Sequence, residues 1–191
     1  MREERDVDLS VQDGSCSLDV VSPRASQTQR IGMALGGLLQ AGDLILLDGQ
    51  LGAGKTTFTQ GLAKGMHVTD VVNSPTFTLL KEYMGSSTIS QSRDQKESAG
   101  APLALYHFDL YRLDDPDEIV DLGFEDYFYG SGVCVVEWAG NADELWPADR
   151  LYIRLSTVDE TKRRLLFVAT GQRYCELLQQ LQKNMYAITR S

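Results

Sequence analysis

One short segment limits the fold of this chain more than any other. The pattern Gly-x-x-x-x-Gly-Lys-Ser/Thr is met by Gly49, Gly54, Lys55 and Thr56, directly after the apolar run 44–47. An unbroken apolar run of this length is typical of a strand buried on both faces of a parallel sheet. Glycines let the backbone curl at positive φ, and successive N–H groups at a helix N-terminus then form a nest for anions. The segment therefore predicts a strand, a phosphate-binding loop and a helix, in that order.

The chemistry of this loop predicts Mg-ATP as its ligand. We expect Lys55 to reach the β- and γ-phosphates and the Thr56 hydroxyl to ligate Mg²⁺. Positive φ is expected at Gly49, Gly52 and Gly54, where the backbone must approach phosphate oxygens closely. The residues expected to contact the nucleotide in this loop are Gly49, Gln50, Leu51, Gly52, Ala53, Gly54, Lys55 and Thr56.

Apolar periodicity in the rest of the chain predicts strands that alternate with helices. One helix is expected from an N-cap at Ser26 to Gly42, and another begins near Lys55. Strands are expected at 18–21, 44–47, 77–83, 103–110 and 133–136, with an antiparallel edge hairpin of 151–155 and 165–168; a helical turn is expected at 116–121 and a last helix around 174–181. This order predicts an α/β, three-layer P-loop NTPase fold with a mostly parallel central sheet.

The length of 191 residues bounds the number of domains, because it is enough for one domain of this class and not for two ordinary ones. Residues 1–16 are polar and aperiodic, which predicts a disordered or loosely docked tail. The Ser-rich segment 85–100 predicts a flexible insertion between two strands. The ATPase domain is therefore expected at 17–191.

The charge of the chain limits its partners. The formal net charge is −9, whereas proteins that bind nucleic acid alone rely on Lys and Arg to neutralise phosphates. If the protein serves an RNA, we expect a partner protein to hold that RNA.

The cysteines and the apolar segments predict a cytoplasmic protein. Cys16, Cys134 and Cys175 are widely spaced and odd in number, which predicts neither a zinc site nor a disulfide framework and fits a reducing compartment. We expect Cys134, inside the run 133–136, to be a small buried apolar residue. No apolar stretch approaches transmembrane length, and the first eight residues are charged, so neither a membrane segment nor a secretion signal is expected.

Two carboxylates follow predicted strands and are candidates for the chemistry. Asp109 ends one apolar segment and Glu137 ends another. Ligands of such sheets bind at the carboxyl ends of the strands, and a P-loop needs a neighbouring carboxylate to hold Mg²⁺ or orient water. Each residue could instead be a solvated carboxylate at the end of a strand, and the sequence does not decide which is nearer the attacking water.

Three further features each have two interpretations. The loop at 74–77 contains hydroxyls that could sense a γ-phosphate, as switch loops do, or it could be an ordinary proline turn. His107 alternates with aromatic neighbours, and a lone histidine in such a strand is more often packed than a ligand. Trp138 could cover a nucleotide or fill the core.

Four segments, taken together, resemble one family. In chain order they are GQLGAGKTTF at 49–58, SPTFTL at 74–79, YHFDLYRL at 106–113 and VEW at 136–138. They are similar to TsaE, formerly YjeE, the bacterial ATPase subunit of the tRNA threonylcarbamoyladenosine machinery. The resemblance covers the chain from about residue 18 to about residue 170.

The resemblance implies roles for residues at matching positions. It implies that the loop from Gly49 to Thr57, with Lys55 among its catalytic groups, cradles the phosphates. It also implies that Thr56 and Glu137 hold Mg²⁺ and that Asp109 is a second catalytic carboxylate.

The same resemblance implies further nucleotide contacts. Thr28 resembles a residue near the adenine, and Trp138 matches a tryptophan beside the nucleotide. Ser74, Pro75 and Thr76 resemble the mobile, switch-like loop. Gln50 departs from the family pattern, which usually has Asp after the first loop glycine, so any role of that carboxylate is open.

At the level of function, the resemblance implies that hydrolysis of ATP to ADP supports formation of N6-threonylcarbamoyladenosine at position 37 of tRNAs that read ANN codons. TsaD with TsaB would carry out the transfer, and this subunit would act on that assembly, with weak turnover in its absence and without binding tRNA directly. Two alternatives stay open: a P-loop small-molecule kinase, and a nucleotide-dependent binding switch with little turnover.

Overall fold

The computed structural model describes residues 15–86, 102–113, 118–119, 123–128 and 130–188. Apart from its last two residues, the predicted tail at 1–16 lies outside the described residues. Apart from its first two residues, so does the predicted insertion at 85–100. Of the helical turn expected at 116–121, only Glu118 and Ile119 are described, and both are helical.

Seven strands in the described part of the chain form one sheet, in the order β1-β7-β6-β2-β5-β4-β3. The strands are β1 (Ser15–Ser22), β2 (Leu44–Asp48), β3 (Leu80–Met84), β4 (Ala104–Asp109), β5 (Val133–Glu137), β6 (Arg150–Thr157) and β7 (Arg163–Thr170). The α-helices are α1 (Ala25–Gly36), α2 (Lys55–Gly65), α3 (Glu125–Phe128) and α4 (Gln172–Ile188), and a 3-10 helix covers Ala139–Leu145. Among these described helices, none combines the length and the apolar character needed to cross a membrane.

The centre of the sheet confirms the predicted fold class. Strands β4, β5, β2 and β6 run parallel to one another. The predicted hairpin is formed by β6 and β7, and β1 adds a further antiparallel strand outside β7. At the other edge β3 pairs antiparallel with β4. The fold is therefore a mixed α/β sheet with a parallel centre, flanked by antiparallel strands.

The apolar run in β2 explains the three layers. Ile45 and Leu47 face a core shared with α1, α2 and α4, while Leu44 and Leu46 face a second core that includes residues of α3 and of the 3-10 helix. All four side chains are buried. Successive strand residues point to opposite faces, so a run without polar residues requires cover on both sides.

Helix α1 packs directly against the backbone of α2, because glycines line the contact. A Cβ added at Gly32 would lie 2.3 Å from the Phe58 carbonyl oxygen, and one added at Gly36 would lie 2.1 Å from the Leu62 carbonyl oxygen. Neither position has room for a side chain. The close contact fixes α2, whose first turn carries the lysine and threonine of the phosphate loop.

The predicted ends of the first helix are wrong. The helix begins before Ser26, because the Arg24 carbonyl already accepts the Thr28 N–H, and it ends at Gly36 rather than Gly42. Leu39 is buried although it lies beyond the helix. Apolar spacing therefore continued past the helix because the following turn also packs into the core.

The first strand after the phosphate-loop helix also starts later than predicted. The sequence predicts a strand from Phe77, whereas β3 begins at Leu80. Leu79 adopts a positive φ of 62°, which interrupts an extended chain, and Phe77 projects into solvent, 86% exposed. The residues before Leu80 belong instead to the loop that carries Ser74.

The cysteine spacing predicts no disulfide framework, yet the structure contains one disulfide. A disulfide joins Cys16 in β1 to Cys175 in α4, with the two Cα atoms 5.4 Å apart. The partners are separated by 159 residues, so no local spacing motif marks the pair. Cys134 is buried, as expected, and burial raises the pKa of its thiol to about 12.

Candidate functional site

The carboxyl ends of three parallel strands meet at one edge of the sheet. Glu137 at the end of β5 pairs in register with Leu47 of β2 on one side and with Asp109 of β4 on the other. The phosphate loop leaves the same edge directly after Asp48. The parallel centre of the sheet thus brings both candidate carboxylates beside the loop.

The loop itself has the backbone expected for an anion site. Gly49, Gly52 and Gly54 have φ values of 138°, 80° and 103°, which confirms the predicted positive φ. At Gly49 an added Cβ would also lie 2.1 Å from the Leu155 carbonyl oxygen. A side chain there is excluded by contact as well as by conformation, so the loop can close tightly before α2 begins.

Lys55 is the cationic group of the loop. Its side chain is buried, and Nζ donates to the carbonyl oxygens of Gly49 at 2.5 Å and Gln50 at 3.2 Å. Nζ also lies 3.6 Å from the centre of the Trp138 ring. The ammonium group is therefore held over the loop by carbonyl and ring partners that carry only partial charges, which a phosphate could replace.

The charges around Lys55 favour its cationic form against the effect of burial. Burial lowers the pKa of Lys55, while the carboxylates of Glu137, Asp48 and Asp109 act in the opposite direction. Asp48 also pairs with Arg154 at 3.7 Å. The effect of burial is the larger one, so the pKa of Lys55 stays below its usual value although three carboxylates lie nearby.

Glu137 is buried and has hydrogen-bond partners on both oxygens. Thr56 Oγ1 donates to Oε2 at 3.1 Å. His107 Nε2 lies 2.9 Å from Oε1. Thr59 Oγ1 lies 3.4 Å from the same oxygen and 3.1 Å from the Lys55 carbonyl oxygen, so its one hydroxyl hydrogen is shared between these two acceptors. The side chain is 2% exposed, so the alternative of a solvated carboxylate does not describe it.

Asp109 holds the loop that carries Ser74. Its Oδ2 accepts the Ser74 hydroxyl at 2.5 Å and the Thr76 hydroxyl at 2.8 Å. Its Oδ1 accepts the Tyr111 N–H at 3.0 Å. Asp109 is also 2% exposed, and Pro75 turns the chain between the two hydroxyls, with its carbonyl accepting the Leu79 N–H at 2.8 Å. The loop is thus more than a proline turn, because it is bonded to a strand-end carboxylate beside the phosphate loop.

Two other candidate contacts differ in position. Trp138 adopts a φ of 63° directly after β5 and lies half-buried between the Lys55 ammonium and the Tyr111 ring, whose centre is 4.9 Å away. Thr28 lies in α1, 1% exposed, with its hydroxyl 2.8 Å from Ser22 Oγ. The fold therefore brings Trp138 to the phosphate loop, whereas the Thr28 hydroxyl is paired with β1.

The sequence alone does not identify the hydrogen-bond partners of Glu137. Its pattern favours a packed histidine at His107 and gives no functional indication for Thr59. A signal for His107 was present, since residues two apart on a strand share a face and His107 precedes Asp109 by two. Thr59 follows Lys55 by four residues, so both lie on one side of α2.

The oxygens at this edge fit a magnesium ion. Mg²⁺ prefers octahedral oxygen ligands at about 2.1 Å, which places neighbouring ligands roughly 2.9 Å apart. Thr56 Oγ1 and Glu137 Oε2 are separated by 3.1 Å. The spacing of these two oxygens is therefore compatible with adjacent positions around one such ion.

Comparisons with known proteins agree on one family. Residues 22–165 match the family model described as "Threonylcarbamoyl adenosine biosynthesis protein TsaE". The TsaE protein of Bacillus subtilis is 40% identical over 158 residues, covering 83% of this chain and 89% of that protein. The TsaE protein of Treponema pallidum is 37% identical over 145 residues, covering 76% and 96%. The crystal structure of YdiB from Bacillus subtilis superposes with a TM-score of 0.71 at 34% identity, covering 91% of this chain and 99% of that one.

Proposed function

Because this chain belongs to the TsaE family of threonylcarbamoyl adenosine biosynthesis proteins, we propose that it is the Mg-dependent ATPase subunit of tRNA N6-threonylcarbamoyladenosine formation. One observation carries the proposal. Lys55, Thr56 and Glu137 lie together at a loop of positive-φ glycines, with Asp109 on the next strand. This set contains an anion nest, a phosphate-binding cation, two metal-ligand oxygens and a second carboxylate, which are the parts that phosphoryl transfer to water requires.

Binding of ATP begins at the loop. Its N–H groups and the N-terminus of α2 cradle the β- and γ-phosphates. When ATP binds, Lys55 exchanges its hydrogen bonds to the carbonyl oxygens of Gly49 and Gln50 for hydrogen bonds to phosphate oxygens. The new bonds are stronger because a phosphate oxygen carries more negative charge than a carbonyl oxygen. The Trp138 ring covers one side of the ammonium group and limits the access of water to it from that side.

The metal site couples the loop to β5. Thr56 and Glu137 would hold Mg²⁺, and the ion would supply electrostatic stabilisation to the charge that develops on the phosphate oxygens. The carboxylate of Glu137 is already buried and oriented by hydrogen bonds in the absence of the ion. Pre-organisation of this kind lowers the cost of reorganisation during the reaction.

Asp109 links the state of the nucleotide to a surface loop. The hydroxyls of Ser74 and Thr76 donate hydrogen bonds to Asp109 in this structure. In the ATP-bound protein, the γ-phosphate or the water that attacks it would offer these hydroxyls alternative acceptors. Exchange between these acceptors would move the exposed Phe77. A loop that changes partners with the γ-phosphate is a known form of nucleotide switch.

The proposed partners are TsaD and TsaB, which would hold the tRNA and carry out the transfer. The net charge of −9 favours a protein partner over direct contact with RNA phosphates. Since tRNA modification takes place in the cytoplasm of bacteria, we place the protein there.

The test is a turnover assay with and without the TsaD–TsaB assembly. Phosphate release from Mg-ATP is measured for the purified chain, together with modified adenosine in tRNA when the assembly is present. We expect slow hydrolysis by the chain alone, several-fold stimulation by the assembly, and repeated rounds of tRNA modification only when all components are combined.

Two outcomes would contradict the proposal. Tight Mg-ATP binding without hydrolysis in either mixture would indicate a binding switch. Transfer of the γ-phosphate to a member of a metabolite panel would indicate a small-molecule kinase.

A further inference from the structure

A buried histidine contacts the carboxylate that the proposed function assigns to the metal. His107 is 0% exposed, and its Nε2 lies 2.9 Å from Glu137 Oε1. The Thr59 hydroxyl reaches the same oxygen at 3.4 Å. Oε2 is instead bonded to Thr56. The two oxygens of Glu137 thus have different surroundings, one within the protein interior and one beside the phosphate loop.

The surroundings of His107 select one tautomer. Its Nδ1 is buried and has no hydrogen-bond partner among the described residues. A proton on Nδ1 would leave a buried donor unpaired and would set the lone pair of Nε2 against a carboxylate oxygen. A proton on Nε2 avoids both penalties and lets the ring donate to Oε1. The geometry therefore favours an Nε2–H that donates to Glu137, with Nδ1 left as an acceptor that is unpaired within the described part of the chain.

We infer that His107 is a positioning residue, which holds Glu137 so that Oε2 faces the cation beside Thr56. A glutamate has three rotatable side-chain bonds, and fixing them costs conformational entropy. The hydrogen bond from His107 fixes the Glu137 side chain in one conformation before any ligand binds. Outer-shell partners of metal ligands commonly change metal affinity by about 10- to 100-fold when removed. The inference rests on the proposed function only in assigning a divalent cation to Glu137.

A purely structural role makes a different prediction. If His107 only filled space in the protein interior beside β4, its loss would lower stability and leave cation affinity unchanged in the protein that folds. If it positions Glu137, a donor at the place of Nε2 should preserve cation affinity even without a ring. His107→Gln supplies such a donor, whereas His107→Leu supplies volume without one.

The experiment measures cation binding rather than turnover. Mn²⁺ is titrated into ADP-loaded protein and followed by electron paramagnetic resonance, while ADP affinity in EDTA and the melting temperature report on the loop and the fold. We expect His107→Leu to weaken Mn²⁺ binding by roughly tenfold or more, with metal-free ADP affinity within about threefold of the parent. His107→Gln should remain within about threefold for both ligands.

Two further variants complete the design. His107→Asn is a second loss variant, because its shorter amide stays polar but does not reach the position of Nε2, and we expect it to weaken Mn²⁺ binding as well. His67→Asn is the matched control, since His67 is an exposed histidine with a φ of 60°, which asparagine tolerates. This control should match the parent.

Each outcome decides the inference. Parental Mn²⁺ affinity in folded His107→Leu or His107→Asn would overturn it and leave the proposed function intact. Loss of Mn²⁺ binding in His107→Gln equal to that of the loss variants would also overturn it, because the donor would then not matter. If the parent itself shows no nucleotide-dependent Mn²⁺ binding, the proposed metal site fails and the positioning role fails with it.

Discussion

Lys55 is a desolvated cation that has only partial charges and a ring face as its nearest partners. We predict that Lys55→Ala lowers ATP affinity by about 10- to 100-fold, since hydrogen bonds to charged groups contribute about 1.5–3 kcal/mol. Isothermal titration with Mg-ATP measures the change, and the far-ultraviolet circular dichroism melt of the variant controls for folding. Normal ATP affinity in a folded variant would rule out the assignment of the loop.

Glu137 and Asp109 are both buried at strand ends but have different partners. Glu137→Gln keeps the shape and an acceptor for His107 but removes the charge beside Thr56. We predict that hydrolysis falls at least about tenfold, which corresponds to about 1.4 kcal/mol of transition-state stabilisation, while ATP still binds because Lys55 remains. Single-turnover phosphate release and ATP titration separate the two effects.

Asp109→Asn is the comparison for this prediction, because Asp109 bonds to the Ser74 loop and not to Thr56. If Asp109→Asn abolishes turnover while Glu137→Gln behaves like the parent at saturating Mg²⁺, the two roles are reversed. If both variants behave like the parent, the metal site lies elsewhere.

At the level of elements, the contact of α1 with α2 positions the start of the phosphate-loop helix. We predict that Gly36→Ala lowers the free energy of unfolding by about 1–3 kcal/mol, because the new Cβ would lie 2.1 Å from the Leu62 carbonyl oxygen. Urea denaturation measures the change. Gly37→Ala is the matched control, since its nearest contact would be 3.8 Å away, and it should stay within about 1 kcal/mol of the parent. Equal stability of the two variants would show that the helices can separate without cost.

The disulfide ties the first strand to the last helix. Closing a loop of 159 residues stabilises a protein by up to about 5 kcal/mol in the chain-entropy account, and measured effects are commonly smaller. We predict that a reductant lowers the melting temperature of the parent and leaves that of Cys175→Ser unchanged. Calorimetry with and without a phosphine reductant checks this, and an identical melting temperature for the parent in both buffers would show that the bond contributes nothing. Since cytosolic thiols reduce most disulfides, we expect the bond to form in the cell only under oxidising conditions.

At the level of the whole molecule, the excess of acidic residues is expected to weaken direct binding of the protein to RNA. With a net charge of −9, the chain as a whole repels RNA phosphates, and this repulsion opposes the attraction to Lys and Arg that supplies non-specific affinity. We predict no retardation of tRNA in a mobility-shift assay at about 10 μM protein and moderate salt. Addition of the TsaD–TsaB assembly should produce a shifted complex that contains all components. Salt-dependent retardation by the chain alone would contradict this view of its surface.

Several features of the fold and of the candidate site were predictable because they are local. The apolar run of β2, the glycine spacing and the lysine lie within about a dozen consecutive residues, and each imposes its backbone geometry almost independently of the rest of the chain. The positions of Asp109 and Glu137 followed from one general rule, that parallel strands present their carboxyl ends at one edge. Their roles in catalysis remain predictions that the variants above test.

Other features depend on contacts between residues far apart in the sequence. Three such contacts join segments that no local pattern relates. They are the hydrogen bond between His107 and Glu137, the hydrogen bond from Ser74 to Asp109 and the disulfide between Cys16 and Cys175. The helix boundary expected at Gly42 failed for the same reason, since burial of the following turn imitates helical periodicity. Sequence periodicity records which side chains are buried, whereas the identity of the partner that buries or bonds them is decided only when the strands and helices pack together.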